Sequence, residues 1–284
     1  ILMSNREIYD NIAKKISKVT THKYSTSFSL GIRFFSRAIR PGIYGIYGFV
    51  RFADEIVDTF FEQDQEKLLT DFRNDTLDAI NRQFSTNPVL HSFQMVVNHY
   101  NISEDLIASF FDSMRMDIHQ RKHSKFTYDK YVYGSAEVIG LMCMNIFFNG
   151  NDEKITELNF SARKLGAAFQ KVNFLRDLKD DYKGKGRQYF PELKKDTILD
   201  SQSKRIIEDQ IEIDFDDALK GIKKLPKNSR FGVYLAYQYY RNLFNKLKTH
   251  KAEDLLEKRV RINSFTKLRL IPLVYYREKT GQFI

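Results

Sequence analysis

Ile46-Tyr47-Gly48-Phe49-Val50-Arg51-Phe52-Ala53-Asp54-Glu55-Ile56-Val57-Asp58 carries two periodicities in thirteen residues. Ile46, Phe49, Val50, Ala53 and Val57 recur at steps of three and four, the spacing of one face of an α-helix. Tyr47, Arg51, Asp54 and Asp58 recur at the same steps, so one helix carries a polar stripe beside its apolar one. A second stretch, Asn173-Phe174-Leu175-Arg176-Asp177-Leu178-Lys179-Asp180-Asp181, repeats the arrangement. Here Gln170, Asn173, Asp177 and Asp181 share a face. Two such stripes facing each other across a pocket could hold Mg²⁺ against the phosphates of a substrate.

Working outward, helical spacing recurs at Ile8, Ile12 and Ile16, and again at Leu165, Phe169 and Val172. It predicts roughly ten helices. Alternating strand patterns with tight hairpin turns are not found, which argues for an all-α fold. Breaks are expected at Pro41-Gly42, Asn87-Pro88, Asn149-Gly150-Asn151, Lys183-Gly184-Lys185-Gly186, Pro191 and Leu225-Pro226-Lys227-Asn228. All are short, so residues 1–284 read as one domain, with Ile1-Leu2 before Met3 as an expression remnant. Ser103 before Glu104-Asp105 and Asn151 before Asp152-Glu153 are expected to cap helices, with acids in the first turn to suit the dipole.

The 42% apolar and 29% charged shares are those of a globular protein, and 24 Phe with 16 Tyr suggest an aromatic-lined interior. Net charge is +10, distributed unevenly. Residues 1–40 hold eight Lys and Arg against two acids, and residues 241–284 hold eleven against four, leaving a net −3 between. Basic ends around an acidic centre suit an anionic small substrate or an anionic membrane surface, and equally a nucleic-acid footprint. Cys143, the one cysteine, excludes an intramolecular disulfide and agrees with the cytoplasm. The longest strongly apolar run, Leu141 to Phe148, is short of the roughly 20 residues a membrane-spanning helix needs. No signal peptide is visible.

A lone DxxxD is usually a solvated acidic face. Here the first pair lies among Ile46, Phe49, Val50, Ile56, Val57 and Phe60, where burying carboxylates without a cation would be costly. Arg51 could bind diphosphate or neutralise Asp54 or Asp58. Gln170 and Asn173 add uncharged ligands to the second stripe, against the plainer reading of a surface helix with an Arg176–Asp180 salt bridge. His119 and His123 have zinc-pair spacing without the glutamate of HExxH and read as an exposed helix end. Gly42-Ile-Tyr-Gly-Ile-Tyr-Gly48 lacks a preceding strand and a Walker lysine, so it reads as close helix packing. Lys183-Gly-Lys-Gly-Arg187 reads as a flexible loop that could close over diphosphate beside Asp181.

The stripe Tyr47, Arg51, Asp54, Asp58, the run Asn173 to Asp181, and Ser25-Thr26-Ser27-Phe28 together resemble the phytoene and squalene synthase family of head-to-head prenyltransferases. Tyr131-Val132-Tyr133-Gly134-Ser135-Ala136, Arg187-Gln188-Tyr189-Phe190-Pro191, Tyr239 and Arg259 follow in the family's order, from about His22 to about Leu270. The resemblance implies an isoprenoid synthase fold around a central cavity. It makes Asp54, Asp58, Asp177 and Asp181 metal ligands, with Asn173 as a further one and Gln170 beside the first metal site. Arg51 and Arg259 would hold diphosphate, Ser25 and Ser27 would cap it, and Tyr47, Tyr133 and Tyr239 would line the reacting centre. Thr26 stands where related bacterial sequences often have Lys, so one diphosphate contact is either missing or replaced by nearby Lys23, and Glu55 points off the main stripe.

Ionising an allylic diphosphate separates a carbocation from a polyanion, which calls for Mg²⁺ and Arg at the leaving group. It also calls for a dry apolar cavity and aromatic faces such as Tyr47 and Tyr133. The resemblance therefore implies Mg²⁺, or Mn²⁺ in its place, prenyl diphosphate substrates and phytoene as product, with no NADPH. A squalene or dehydrosqualene synthase using farnesyl diphosphate is the nearest rival, and Phe28, Ile32 and Tyr44 are placed where bulk could limit tail length. A non-catalytic scaffold of the same fold is expected to have lost its aspartates, and all four are present. Nucleic-acid binding rests on the basic ends alone and is not expected. Those ends and an oily product suggest peripheral contact with the inner face of the cytoplasmic membrane.

Overall fold

Ser4 opens the first helix with a capping box: its hydroxyl accepts from the Glu7 amide at 3.2 Å, and its own amide donates to the Glu7 carboxylate at 2.7 Å. The computed structural model describes residues 3–193, 199–257 and 259–284, apart from the side chains of Ser27 and Ser264. Ile1-Leu2 thus lie outside the described residues.

Among the described residues there are thirteen α-helices, more than the ten the periodicity suggests, because short connecting turns separate segments whose patterns run on. They are α1 (Asn5–Tyr24), α2 (Thr26–Ile32), α3 (Arg40–Asp58), α4 (Gln65–Arg82), α5 (Pro88–Tyr100), α6 (Glu104–His119) and α7 (Lys125–Val132). After a π-helical turn at Tyr133–Glu137 come α8 (Val138–Phe147) and α9 (Asp152–Lys179), which ends in a second π turn, Asp180–Gly184. The chain closes with α10 (Ser201–Ile222), α11 (Arg230–Lys248), α12 (Ala252–Leu255) and α13 (Ser264–Thr280). No strand occurs among the described residues; a lone parallel bridge joins Lys122 to Gln188.

Several helix starts follow the sequence signals. Ser103 accepts from the Asp105 amide at 3.2 Å and Asn151 from the Lys154 amide at 3.2 Å. Pro41 and Pro88 stand in first turns rather than in gaps, where a missing N–H costs nothing.

The two stripe-bearing helices form the frame. α3 packs on α1 and α5 through its glycines: a Cβ at Gly45 would meet the Val96 side chain at 2.8 Å, and Gly48 lies against Ser17. The Gly42–Gly48 stretch is therefore close helix packing. Phe49 is fully buried, with its ring stacked on Phe93 at 3.9 Å, a burial worth roughly 2–3 kcal/mol. α9 runs beside α8, α10 and α11 and buries Leu158, Ala168, Val172 and Leu175 on different sides, as a helix surrounded by others must. Gly166 lets α9 approach the first π turn, since a Cβ there would come within 2.6 Å of the Ala136 carbonyl oxygen.

Candidate active site

A cavity of about 310 Å³ lies between α2, α3, α8, α9, α10 and α11. Its polar end takes Tyr47 and Asp54 from α3 and Gln170 and Asn173 from α9. Its remaining wall is apolar, with Phe35, Ile139, Phe147, Leu165 and Leu225 among the lining residues. On α9 the lining positions run from Asn173 back to Leu158, fifteen residues and about 22 Å at the α-helical rise. On α3 they run from Asp54 back to Ile43, about 16 Å. Cys143 sits on the apolar wall, where burial pushes its thiol up to about 12, so it packs as a small apolar group.

Beside this end Asp58, Asp177 and Asp181 lie outside the cavity lining, and one ammonium reaches both acidic stripes: Lys185 Nζ lies 2.7 Å from Asp58 Oδ2 and 3.9 Å from Asp181 Oδ1. The other Asp58 oxygen accepts from Arg187 Nη1 at 2.5 Å. Burial would raise the Asp58 pKa, but Lys185 and Arg187 outweigh it and hold the pKa below the usual range. Asp177 is engaged as fully, accepting from Arg176 at 2.5 and 3.0 Å and ion-paired with Arg259 at 2.7 Å.

Asp54 and Asp181 are less well compensated. Asp54 keeps 35% of its side-chain surface and has Arg51 at 3.8 Å. Burial first, then the Asp58 charge, push its pKa up to about 7. Burial, then the Asp177 and Asp58 charges, do the same for Asp181 against the pull of Lys185, again to about 7. Behind the first stripe, α6 contributes a buried carboxylate, Asp117, which accepts from the hydroxyls of Tyr131 at 2.7 Å and Tyr189 at 2.8 Å, with Arg187 at 3.7 Å. Burial dominates and pushes Asp117 up to about 6.

Several expected placements change. Arg51 donates to Glu55, four residues on, and lies over the Tyr24 ring at 4.3 Å; Glu55 is its partner rather than a bystander, because an Arg has its best helical reach at that step. Arg176 binds the adjacent Asp177, not Asp180, since α9 gives way to the π turn at Asp180. The cavity wall carries Tyr131 and Tyr240 where Tyr133 and Tyr239 are expected. Tyr133 begins the first π turn, whose wider pitch re-aims the chain, and its ring lies under Arg163 at 5.0 Å. Tyr239 sits one position round α11, beneath Lys267 at 5.1 Å, while Tyr240 donates to Asn173 at 3.3 Å.

Tyr47 lines the cavity, stacked on Phe28 at 5.1 Å, with its hydroxyl pushed up to about 12 by burial. Gln170 donates to Ser135 at 3.3 Å. Ser25 caps α2, accepting from the Phe28 amide at 3.1 Å; the side chain of Ser27 lies outside the described residues. Thr26 accepts from Lys267 of α13 at 3.4 Å, so a cation from the far end of the chain stands beside it. Of the three tail-length positions, Phe28 lines the cavity, whereas Ile32 and Tyr44 are core residues. His123 is buried against Tyr189 and Tyr131, and only His119 is exposed, paired with Glu66.

The donor set at the polar end is oxygen-only, four carboxylates and the Asn173 amide, which is the chemistry Mg²⁺ and Mn²⁺ take. Asp54 and Asp181 have their cation contacts at 3.8 and 3.9 Å, beyond hydrogen-bond distance, so their oxygens are the ones open to a further cation. Among the described residues no three His, Cys, Asp or Glu side chains are drawn together as a ready cage, because Asp58 and Asp177 are turned onto Lys and Arg. The residues fit a divalent metal, provided those ion pairs rearrange.

Residues 21–266 match the family model described as Squalene/phytoene synthase. The chain is 25% identical over 271 residues to the 4,4'-diapophytoene synthase of Staphylococcus haemolyticus, covering 87% of this chain and 90% of that one. It is also 25% identical over 281 residues to the chloroplastic phytoene synthase 1 of Solanum lycopersicum, covering 89% of this chain and 65% of the longer plant protein. Its fold matches a crystal structure of a dehydrosqualene synthase with TM-score 0.82 at 20% identity, over 95% of this chain and 98% of that one. With a match spanning most of its length and an all-α fold to go with it, the chain belongs to the squalene/phytoene synthase family, whose members are prenyltransferases.

Proposed function

We propose that the protein condenses two geranylgeranyl diphosphates head to head into 15-cis-phytoene, with Mg²⁺ or Mn²⁺ and without NADPH, as a step of carotenoid biosynthesis. The observation that supports this reading best is a largely apolar cavity whose lining runs about 22 Å along α9 from its polar end at Asn173 to Leu158. Three backbone bonds span about 3.6 Å, so a four-bond isoprene repeat spans about 5 Å and a twenty-carbon tail about 20 Å. When bound, the metal supplies Lewis-acid stabilisation of the departing diphosphate.

Asp54, Asp58, Asp177, Asp181 and Asn173 are assigned to hold the metal, with Gln170 beside them. Arg51, Arg259, Ser25 and Ser27 are assigned to the diphosphates. Tyr47, with Tyr131 and Tyr240 as the cavity-lining neighbours of Tyr133 and Tyr239, presents aromatic faces to the carbocation. The first diphosphate leaves, the double bond of the second substrate attacks the allylic carbon, and proton loss closes a cyclopropyl diphosphate. Loss of the second diphosphate, rearrangement and loss of a second proton give the polyene. The apolar wall keeps water from the cation.

Farnesyl diphosphate, giving dehydrosqualene or, with NADPH, squalene, is the second reading. It is favoured by the shorter α3 wall, about 16 Å, and by the likeness to the diapophytoene synthase. Incubation with fifteen- and twenty-carbon diphosphates, with and without NADPH, separates the two. Phytoene from the twenty-carbon substrate is expected, and product from farnesyl diphosphate alone overturns the assignment.

We also propose that the chain lies peripherally on the inner face of the cytoplasmic membrane. No helix among the described residues is long and apolar enough to cross one. Outward on α13, Phe265, Leu268, Leu273 and Tyr276 are exposed beside the exposed Arg269 and Lys279, a face suited to an anionic bilayer. Cosedimentation with anionic vesicles is expected; complete exclusion from them contradicts it.

A further inference from the structure

The loop between the second π turn and Pro191 delivers two cations to Asp58, and they are held very differently. Arg187 is 2% exposed and anchored on three sides, by Asp58, by Asp117 and by the Val57 carbonyl, to which it donates at 2.9 Å. Lys185 is 25% exposed, and among the described residues its ammonium has two carboxylates as partners, Asp58 and Asp181. Its main chain is fixed, the amide donating to the Asp180 carbonyl at 3.2 Å and the carbonyl accepting from Arg121 at 3.1 Å. Any movement therefore lies in the four-carbon stem. The backbone on either side faces open space, since a Cβ at Gly184 or Gly186 would meet nothing within 4 Å.

We propose that Lys185 is a built-in counter-ion that competes with divalent metal for Asp58 and Asp181 and must swing away before metal can take those oxygens. The inference rests on the metal-dependent reading above. Each Asp58 oxygen already has a cation on it, buried Arg187 on Oδ1 and partly exposed Lys185 on Oδ2 at 2.7 Å, so Oδ2 is the one whose partner can leave. Mg²⁺ binds carboxylate oxygen at about 2.1 Å and cannot share that lone pair with an ammonium. A flexible Lys is the side chain suited to leaving; a forked, buried Arg is suited to staying. Lys185 thus offsets part of the charge on Asp58 and Asp181 in the absence of metal, and its ammonium becomes available to diphosphate once displaced.

The test is Mn²⁺ binding to the full chain without substrate, read from the free-Mn²⁺ resonance, for the wild type and for Lys185→Met, Lys185→Gln, Lys185→Arg and Asp181→Asn. The neutral variants are expected to bind with a Kd lowered by about threefold to tenfold, and Lys185→Arg to stay at or above the wild-type value. Unchanged or weaker binding by both neutral variants, with binding lost in Asp181→Asn, overturns the competition and leaves the metal reading standing. Undiminished binding in Asp181→Asn, or none by any of the proteins, overturns the metal reading and this inference with it.

Discussion

The mouth and the floor of the cavity are built on opposite principles. At the mouth, among the described residues, Asp58 and Asp177 are each held by two cations, while Asp54 and Asp181, one turn away, have one cation at 3.8 to 3.9 Å. The floor is a wall of Phe, Leu and Ile side chains in which even the thiol of Cys143 is kept neutral. Charge at the mouth is unevenly paired; the floor is held by packing. An ionising diphosphate needs the first, and a carbocation that must not meet water needs the second.

The largest expected effect lies at the mouth. Asp54→Asn should lower kcat by roughly a thousandfold, with the helical circular dichroism of the wild type. Unchanged turnover would erase the functional difference between mouth and floor and favour a scaffold role. A smaller effect probes the floor. Ala162→Phe places a ring in the apolar wall of α9, and the ratio of kcat/KM for twenty- over fifteen-carbon substrate should fall about tenfold or more. A ratio that does not move would show that this end of the cavity does not hold the tail.

The smallest effect sharpens the charge imbalance itself. The folded pKa of Asp181, about 7, lies above its unfolded value, so the folded state retains a proton between about pH 4 and 7 that the unfolded chain has released. Ionisation of Asp181 therefore erodes stability as pH rises through that window. In EDTA, Asp181→Asn should gain a few degrees in melting temperature on the wild type between pH 5 and 7.5. A constant difference would mean that Asp181 is fully compensated after all.

Much of the mouth is legible in the sequence because α-helical spacing is local: Tyr47, Arg51, Asp54 and Asp58 fall on one face however the rest folds. The opposition of the two stripes, and the partners of each carboxylate, are not local. Lys185 and Arg187 reach Asp58 across more than a hundred residues, and Lys267 meets Thr26 from the last helix. Two π turns shift the register where an ideal helix would place Tyr133 and Asp181. Asp117 left a trace that could have been read, an aspartate on the stripe of Phe110 and Met114 that α6 buries. The floor leaves almost none, since apolar residues on α8, α9 and α10 look alike whether they line a cavity or fill a core.

The most direct test of the account counts both products of a single incubation with geranylgeranyl diphosphate and Mg²⁺. Head-to-head condensation predicts one forty-carbon hydrocarbon for every two inorganic pyrophosphates released. A twenty-carbon alcohol or hydrocarbon with one pyrophosphate apiece would show that the mouth ionises a diphosphate without joining two chains, and would contradict the account.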